Sequence, residues 1–219
     1  MKLKGIIWDL DGVLIDSEGQ HIELEIETAK KYGIHLTPEI TKEYLGVRLE
    51  EYFRDIARRF NPDVQVGEMI REHKTTLRHY YMEVFGLMPY CFEVLLQLKG
   101  RYRMAIATSR ERELAQIVLD RFLLTPFFST FVYGEEVSRG KPDPQAFQRA
   151  AALLEIDPPS VVVVEDSVIG LSAAKKGGFP SIAYRATHNE HLDFSSADAV
   201  VEDLREIPPL LDRMKMRSL

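Results

Sequence analysis

The sequence predicts a doubly wound, mostly parallel α/β sheet with an α-helical cap inserted after its first strand. Three observations carry this. Short apolar runs rich in β-formers recur along the chain, the segments between them repeat apolar residues at helical spacing, and one long interval has helices but no strand. Short apolar runs bounded by turns suit strands buried on both faces, and their alternation with helices is the pattern of a parallel sheet covered on both sides.

The first run is GIIW, Gly5 to Trp8, which ends at two acids, Asp9 and Asp11. From Ser17 to about Gly86 no strand pattern follows. The helical strings HIELEIETAKKYG, EEYFRDIARRF and GEMIREHKTTLRHYYMEVF fill the interval, punctuated by Gly33, Pro38, Gly46, Asn61-Pro62 and Gly67 into about four helices that pack as a small bundle. Residues 17–86 therefore read as a cap, and residues 1–16 and 87–219 as the α/β core. Five more strand runs follow: MAIAT (Met104 to Thr108), TFVYG (Thr130 to Gly134), VVVVED (Val161 to Asp166), SIAY (Ser181 to Tyr184) and DAVV (Asp198 to Val201). Between them Leu114, Ile117, Val118 and Phe122 share one helix face, and Phe147, Ala150, Ala151 and Leu154 another. The tail PPLLDRMKMRSL reads as a terminal helix with a frayed end.

With 219 residues, 45% of them hydrophobic, the chain has ample material for a packed core. A net charge of -6 argues against a nucleic-acid partner, because phosphate-backbone binders carry a basic excess. The lone Cys91 forms no internal disulfide, and no cysteine pair or His-Glu-x-x-His spacing suggests zinc. The first apolar run is cut off by Asp9, too early for a signal peptide, and no later stretch is long enough for a membrane span. We expect a cytoplasmic monomer with no membrane partner.

Ligands of open α/β sheets bind outside the carboxyl ends of the strands, so the residues after each strand carry the functional reading. Asp9 and Asp11 follow the first strand. Thr108 and Ser109 follow the second, and Thr108 to Glu111 has capping-box spacing, which places a helix N-terminus there whose free N–H groups suit a phosphate. Standing alone, Thr108 is as well explained as a simple cap. The third strand leads into GEEVSRGKPDP, with Lys141 between Gly140 and Pro142. This is no P-loop: five residues rather than four separate Gly134 from Gly140, and Pro142 stands where a Ser or Thr would hold Mg²⁺. Glu165 and Asp166 end the fourth strand. Asp166 or Ser167 suits a helix N-cap, but capping needs only one of them.

Asp9, Asp11, Glu165 and Asp166 thus put four carboxylates on neighbouring strand ends. At ~4 Å in an effective dielectric of about 20, each like-charge contact costs roughly 4 kcal/mol. Lys141 supplies one positive charge, and a divalent cation supplies the rest. Oxygen donors without His or Cys select Mg²⁺ over zinc or copper, with Mn²⁺ or Ca²⁺ as other occupants of the same ligands. Mg²⁺ favours sites completed by a substrate phosphate, so the cluster points to phosphoryl chemistry on a small-molecule phosphate ester.

At this point the residues match a family. Asp9-Leu-Asp11-Gly-Val-Leu, Thr108, Gly140-Lys141-Pro142-Asp143-Pro144 and Glu165-Asp166-Ser167 resemble, in order and spacing, the four motifs of the haloacid dehalogenase-like hydrolases. The helical insertion resembles the cap of their β-phosphoglucomutase and sugar-phosphatase branch, and the likeness covers nearly the whole chain. The resemblance implies a Rossmann-like core. It also implies that Asp9 attacks phosphorus and forms an aspartyl phosphate, while Asp11 protonates the leaving alcohol and then activates water. The second role needs a raised pKa at Asp11. The metal, Lys141 and the Thr108–Ser109 region would hold the charge of the transferring group. Asp11 also argues against dehalogenation, since expelling halide requires no proton donor.

Two cap residues bear on the reaction. His21 stands where the mutase branch carries a histidine near the acid, or else faces solvent. In Gly46-Val-Arg48-Leu49 the arginine follows the glycine by two residues, as in the sugar-phosphatase pattern, whereas the mutase pattern has three. Arg48 would then recognise a sugar hydroxyl or the part of the substrate not transferred, unless it pairs with Glu50 or Glu51 on the surface. Asp16 marks the hinge between core and cap, and Asp143 holds the Lys141 loop. The expected activity is a Mg²⁺-dependent phosphatase of a small phosphorylated metabolite, a sugar phosphate. The rival is a β-phosphoglucomutase-type isomerase. A catalytically silent binding module is disfavoured because Asp9, Asp11, Lys141, Glu165 and Asp166 are all present.

Overall fold

The computed structural model describes residues 3–216. The chain runs β1 (Gly5–Trp8), β2 (Ile15–Asp16), four helices α1 (Glu18–Lys31), α2 (Pro38–Lys42), α3 (Leu49–Phe60) and α4 (Val66–Glu83), then β3 (Gly86–Leu87), α5 (Cys91–Leu98), β4 (Arg103–Ala107), α6 (Arg112–Arg121), β5 (Thr130–Val132), α7 (Gln145–Leu154), β6 (Val161–Glu165), α8 (Val168–Lys176), β7 (Ser181–Tyr184), β8 (Ala199–Val201) and α9 (Ile207–Met216). All six predicted strands are present, and they form one sheet in the order β5-β4-β1-β6-β7-β8 with every pairing parallel. The chain winds outward from β1 to β4 and β5, then returns to β6 and continues to β7 and β8. The winding reverses at β1, which opens a crevice at the carboxyl ends of β4, β1 and β6.

The strands are apolar throughout because both faces are covered. Ile6, Trp8, Val162 and Val164 pack towards α5, α6 and α9 through Val94, Leu95, Val118 and Leu211. Ile7, Val161 and Val163 pack the other way, against Phe147, Ala150 and Leu154 of α7 and Ala173 and Ala174 of α8. The alternation of strand residues between two cores is the period-2 geometry of a doubly covered sheet.

The helices between β2 and β3 have a core of their own. Leu49, Tyr52, Phe53, Ile56 and Ala57 fall on one face of α3 and meet Ala29, Ile34, Met69 and Ile70. Leu24, Leu77, Tyr81 and Phe85 belong instead to the cluster beneath the sheet, so the base of the insertion is seated on it. Among the described residues no helix is long and apolar enough to cross a membrane.

Two local expectations change. The stretch Ser17 to Gly86 ends in a short strand, β3, which pairs antiparallel with β2 at the point where the chain leaves and re-enters the sheet region. Two residues per strand are too few to show a period. The capping box expected at Thr108 is replaced by a turn: Thr108 Oγ1 accepts the Arg110 N–H at 3.0 Å, and α6 starts only at Arg112. The expected fraying of the C-terminal tail lies outside the described residues.

Candidate active site

The crevice gathers residues from four strand ends. Asp9 follows β1, its N–H held by the Val164 carbonyl at 3.0 Å, and its Oδ1 accepts from Lys141 Nζ at 2.6 Å. The same ammonium donates to Glu165 Oε1 at 2.5 Å. Glu165 Oε2 accepts from the Asp166 N–H, the Ser167 N–H and the Ser167 hydroxyl, while the Ser167 hydroxyl caps α8 by accepting from Gly170 N–H at 3.1 Å. Lys141 lies on the loop after β5, and Asp143 ties that loop by pairing with Arg139 at 2.9 Å and accepting from the Gln145 N–H at 3.0 Å.

Asp9, Glu165 and Asp166 offer oxygens that all lie within 4.8 Å of one another. Burial pushes the Asp9 carboxyl well above the usual range, and Glu165 and Asp166 add to that against the opposing Lys141. Asp166 is raised in the same way, first by burial and then by Glu165. Burial would depress Lys141, but Asp9 and Glu165 outweigh it and hold the ammonium above the ordinary lysine range. Three acids around one ammonium leave a deficit of positive charge, and the donors are hard oxygens, so the trio fits a divalent cation. Gly12, at φ +75°, lets the chain fold tightly beside it: a Cβ there would fall 2.0 Å from Asp166 Oδ2.

Asp11 stands apart from this trio, contrary to the expectation of four carboxylates at one metal. Its oxygens turn to Ser17 Oγ at 2.8 Å, the Tyr81 hydroxyl, His21 Nε2 at 3.3 Å and Arg110 Nε at 3.1 Å. Burial alone would raise its pKa, but the Arg110 guanidinium and the hydrogen bonds from His21 and Tyr81 hold the carboxyl well below the usual range. The raised pKa expected for an acid–base group is therefore absent in this arrangement, because an arginine sits on the carboxylate. His21 is buried rather than facing solvent, and burial brings it down to about 4, so it is a neutral neighbour of Asp11 and Arg110.

Thr108 is buried at the end of β4 and lines the same cavity. Ser109 lines it too, but its hydroxyl donates to the Gly46 carbonyl at 2.8 Å and so joins the helical insertion to the sheet edge. Arg48 does not reach the cavity. Its Nη2 donates to the Val137 carbonyl at 2.8 Å and its Nη1 lies 3.5 Å from Glu51, because the loop before α3 lays it across the backbone of Gly140. Glu51 is thus a neighbour, as the alternative expected, but the arginine is largely covered by the Val137–Gly140 loop rather than lying on the surface.

Several site residues escaped the sequence reading. His188, after β7, approaches Asp166 Oδ2 at 2.7 Å, and Asn189 donates to the Asp166 carbonyl at 2.9 Å. The strand-end rule applied to SIAY would have reached both. Arg110 lay inside the quoted Thr108–Glu111 segment. Tyr81, Glu18 and Glu25 come from helices and carry no motif; their only signal was position on the face of α1 or α4 that turns towards the crevice. Between the two sides lies a cavity of ≈ 50 Å³, lined by Asp9, Asp11, Arg110 and Asp166 on the sheet side and by Glu18, His21 and Glu25 on the helical side. That is room for little more than water, so a metabolite enters only if the helical side moves away from the sheet edge.

A family profile described as haloacid dehalogenase-like hydrolase matches residues 6–184. The chain belongs to that family. Among its relatives, the validoxylamine A 7'-phosphate phosphatase of Streptomyces hygroscopicus subsp. limoneus is 27% identical over 205 residues, which is 93% of this chain and 95% of that one. A phosphorylated carbohydrates phosphatase of Thermotoga maritima is 29% identical over 188 residues, 85% and 87% of the two chains. The crystal structure of CbbY from Rhodobacter sphaeroides in complex with phosphate superposes with a TM-score of 0.83 at 24% identity, covering 94% of this chain and 96% of that one. It shares the hydrolase family fold described above.

Proposed function

We propose that this haloacid dehalogenase-like hydrolase is a Mg²⁺-dependent phosphatase of a small phosphorylated metabolite, working through an aspartyl phosphate on Asp9, with residues 17–86 as a cap over the site. The carrying observation is the Asp9–Lys141–Glu165 ion-pair chain at the mouth of the sheet, with Asp11 two residues away in the same cavity. The names of two relatives, both phosphatases and one acting on phosphorylated carbohydrates, support a sugar phosphate as substrate.

Asp9, Glu165 and Asp166 would hold Mg²⁺, which when bound supplies positive charge against the transferring phosphoryl group. Asp9 attacks phosphorus as the ester oxygen leaves, and Lys141 fixes the attacking carboxylate. Asp11 gives its proton to the departing alkoxide. Water then attacks the aspartyl phosphate, Asp11 takes a proton from it, and Asp9 and inorganic phosphate are released. Because Arg110 holds Asp11 ionised, the acid step requires Arg110 to turn from Asp11, and an incoming phosphate is the natural partner for its guanidinium. The cap excludes bulk water while these steps proceed.

His21 beside Asp11 also suits a phosphosugar isomerase. A panel of sugar phosphates, followed for free phosphate and for isomerised product with Asp9→Asn protein as blank, separates the two. Isomer without phosphate release would overturn the phosphatase reading, and so would full activity in Asp9→Asn.

A further inference from the structure

Each acid of the proposed metal trio is held by a neighbour. Lys141 Nζ reaches both Asp9 and Glu165, and Glu165 is fixed further by the Ser167 hydroxyl and two backbone N–H groups. The Asp166 carboxylate shares none of these. Among the described residues, the side chain that hydrogen-bonds it is His188, whose Nε2 stands 2.7 Å from Oδ2. With 8% of the imidazole and 6% of the aspartate side chain exposed, water does not compete for the pair.

The loop that carries His188 is built to keep it there. β7 ends at Tyr184, and Thr187–Asn189 form one short helical turn after it. Asn189 is fully buried; its amide donates to the Asp166 carbonyl at 2.9 Å and to the Tyr184 carbonyl at 3.0 Å, and its Oδ1 accepts the Ala186 N–H at 2.8 Å. The residue next to His188 thus clamps the loop to the backbone of Asp166 itself. Gly12 leaves the space in which the two side chains meet, since a Cβ there would lie 2.0 Å from Asp166 Oδ2 and 3.0 Å from His188 Nε2.

The donors that lie within 4.8 Å of one another here come from Asp9, Glu165 and Asp166, without His188, so the imidazole stands behind the ligands rather than among them. A carboxylate on a cation only accepts hydrogen bonds, which makes Nε2 the donor. Partners of this kind orient the ligand they touch, and their loss costs about ten- to hundredfold in metal affinity. We propose that His188 is a positioning residue of the metal site: it holds Asp166 in the orientation in which its carboxylate joins Asp9 and Glu165 around Mg²⁺. This rests on the reading of those three acids as the metal ligands.

Mg²⁺ titrated by calorimetry into metal-stripped protein tests it with three variants. His188→Leu removes the donor. His188→Asn keeps an amide that is one carbon too short to stand where Nε2 does, and it decides the matter if the leucine variant does not fold. His188→Gln brings its amide nitrogen close to the Nε2 position and can donate from there. The Kd for Mg²⁺ should rise about tenfold or more in the first two and stay within about threefold of the parent in His188→Gln. A role confined to packing the loop would not separate glutamine from asparagine. The inference is overturned if neither deletion reaches that rise, if His188→Gln loses as much affinity as His188→Asn, or if the parent binds no Mg²⁺. Phosphate release from the sugar-phosphate panel is read separately. Mg²⁺ affinity that depends on His188 in a protein releasing no phosphate would uphold the inference and reject the phosphatase reading. Phosphate release with a Mg²⁺ affinity indifferent to His188 would do the reverse.

Discussion

Replacing Lys141 by methionine keeps most of the aliphatic stem and removes the ammonium that joins Asp9 to Glu165. Lys141 is only 4% exposed, so water cannot take its place. The site then has to recover neutrality by binding one more proton on Asp9, Glu165 or Asp166. Protonating a carboxyl whose unfolded pKa is about 3.9 costs about 1.4 kcal/mol per pH unit above that value, which is ~4 kcal/mol at pH 7 and ~1.5 kcal/mol at pH 5. The sign follows from proton counting: the folded variant holds a proton that the unfolded chain has released, so stability falls as pH rises. We expect Lys141→Met, in EDTA, to lose about 4 kcal/mol at pH 7 by urea denaturation, or roughly 8–16 °C in Tm for a chain of this size, and well under half of that at pH 5. Mg²⁺ should shrink the deficit. A loss below about 1 kcal/mol at pH 7, or one equal at both pH values, would refute the view that this ammonium is the charge partner of the acids.

Three further outcomes follow from other parts of the site. Arg110→Met removes the cation that holds Asp11 ionised; since the depressed pKa contributes stability that is fully present above about pH 4 and is lost as pH falls further, the variant should be about 3 kcal/mol less stable at pH 7, with a deficit that is unchanged down to about pH 4 and shrinks by about 1 kcal/mol by pH 3 in urea titrations. Glu25→Gln should work in the opposite sense, because a folded pKa of about 8 burdens the ligand-free protein increasingly between pH 4.5 and 8; with partial exposure discounted, the variant should gain about 2 kcal/mol between pH 5 and pH 8, read as a Tm difference of roughly 4–8 °C. Gly46 has φ +82° and a Cβ there would lie 2.7 Å from Ser167 Oγ, so Gly46→Ala should loosen the loop against the sheet edge and raise KM about tenfold with a smaller change in kcat, measured by steady-state phosphate release.

The sheet was legible because a doubly covered parallel strand has to be apolar at every position, and VVVVE or SIAY has little else to be. The clustering of Asp9, Glu165 and Asp166 was legible for the complementary reason, although Asp11 was counted with them: acids directly after such strands have no solvent to explain them. What stayed hidden was long-range and helical. Nothing in the string TSRERE says that Arg110 will lie on Asp11 rather than in solvent, because that depends on where α6 begins, and the local capping signal pointed three residues too early. Arg48 was misread for a similar reason, since the direction of a loop arginine is set by the backbone it crosses, here Val137 and Gly140. Glu18 and Glu25 look like ordinary surface acids of an amphipathic helix until the opposite wall of the cavity is in place.

The two-residue ribbon of β2 and β3 bears on how the proton is handled. Both chain crossings between the helices and the sheet pass through it, and the residue immediately after β2 is Ser17, a direct partner of Asp11. His21 and Tyr81, its other polar neighbours apart from Arg110, also ride on the helical side. Bending the ribbon would withdraw all three at once and admit water in their place. Asp11 would thus have two proton affinities, one for the open molecule and one for the closed, so a flexure some residues away from the chemistry would act as a valve that loads the acid between turnovers and isolates it during them.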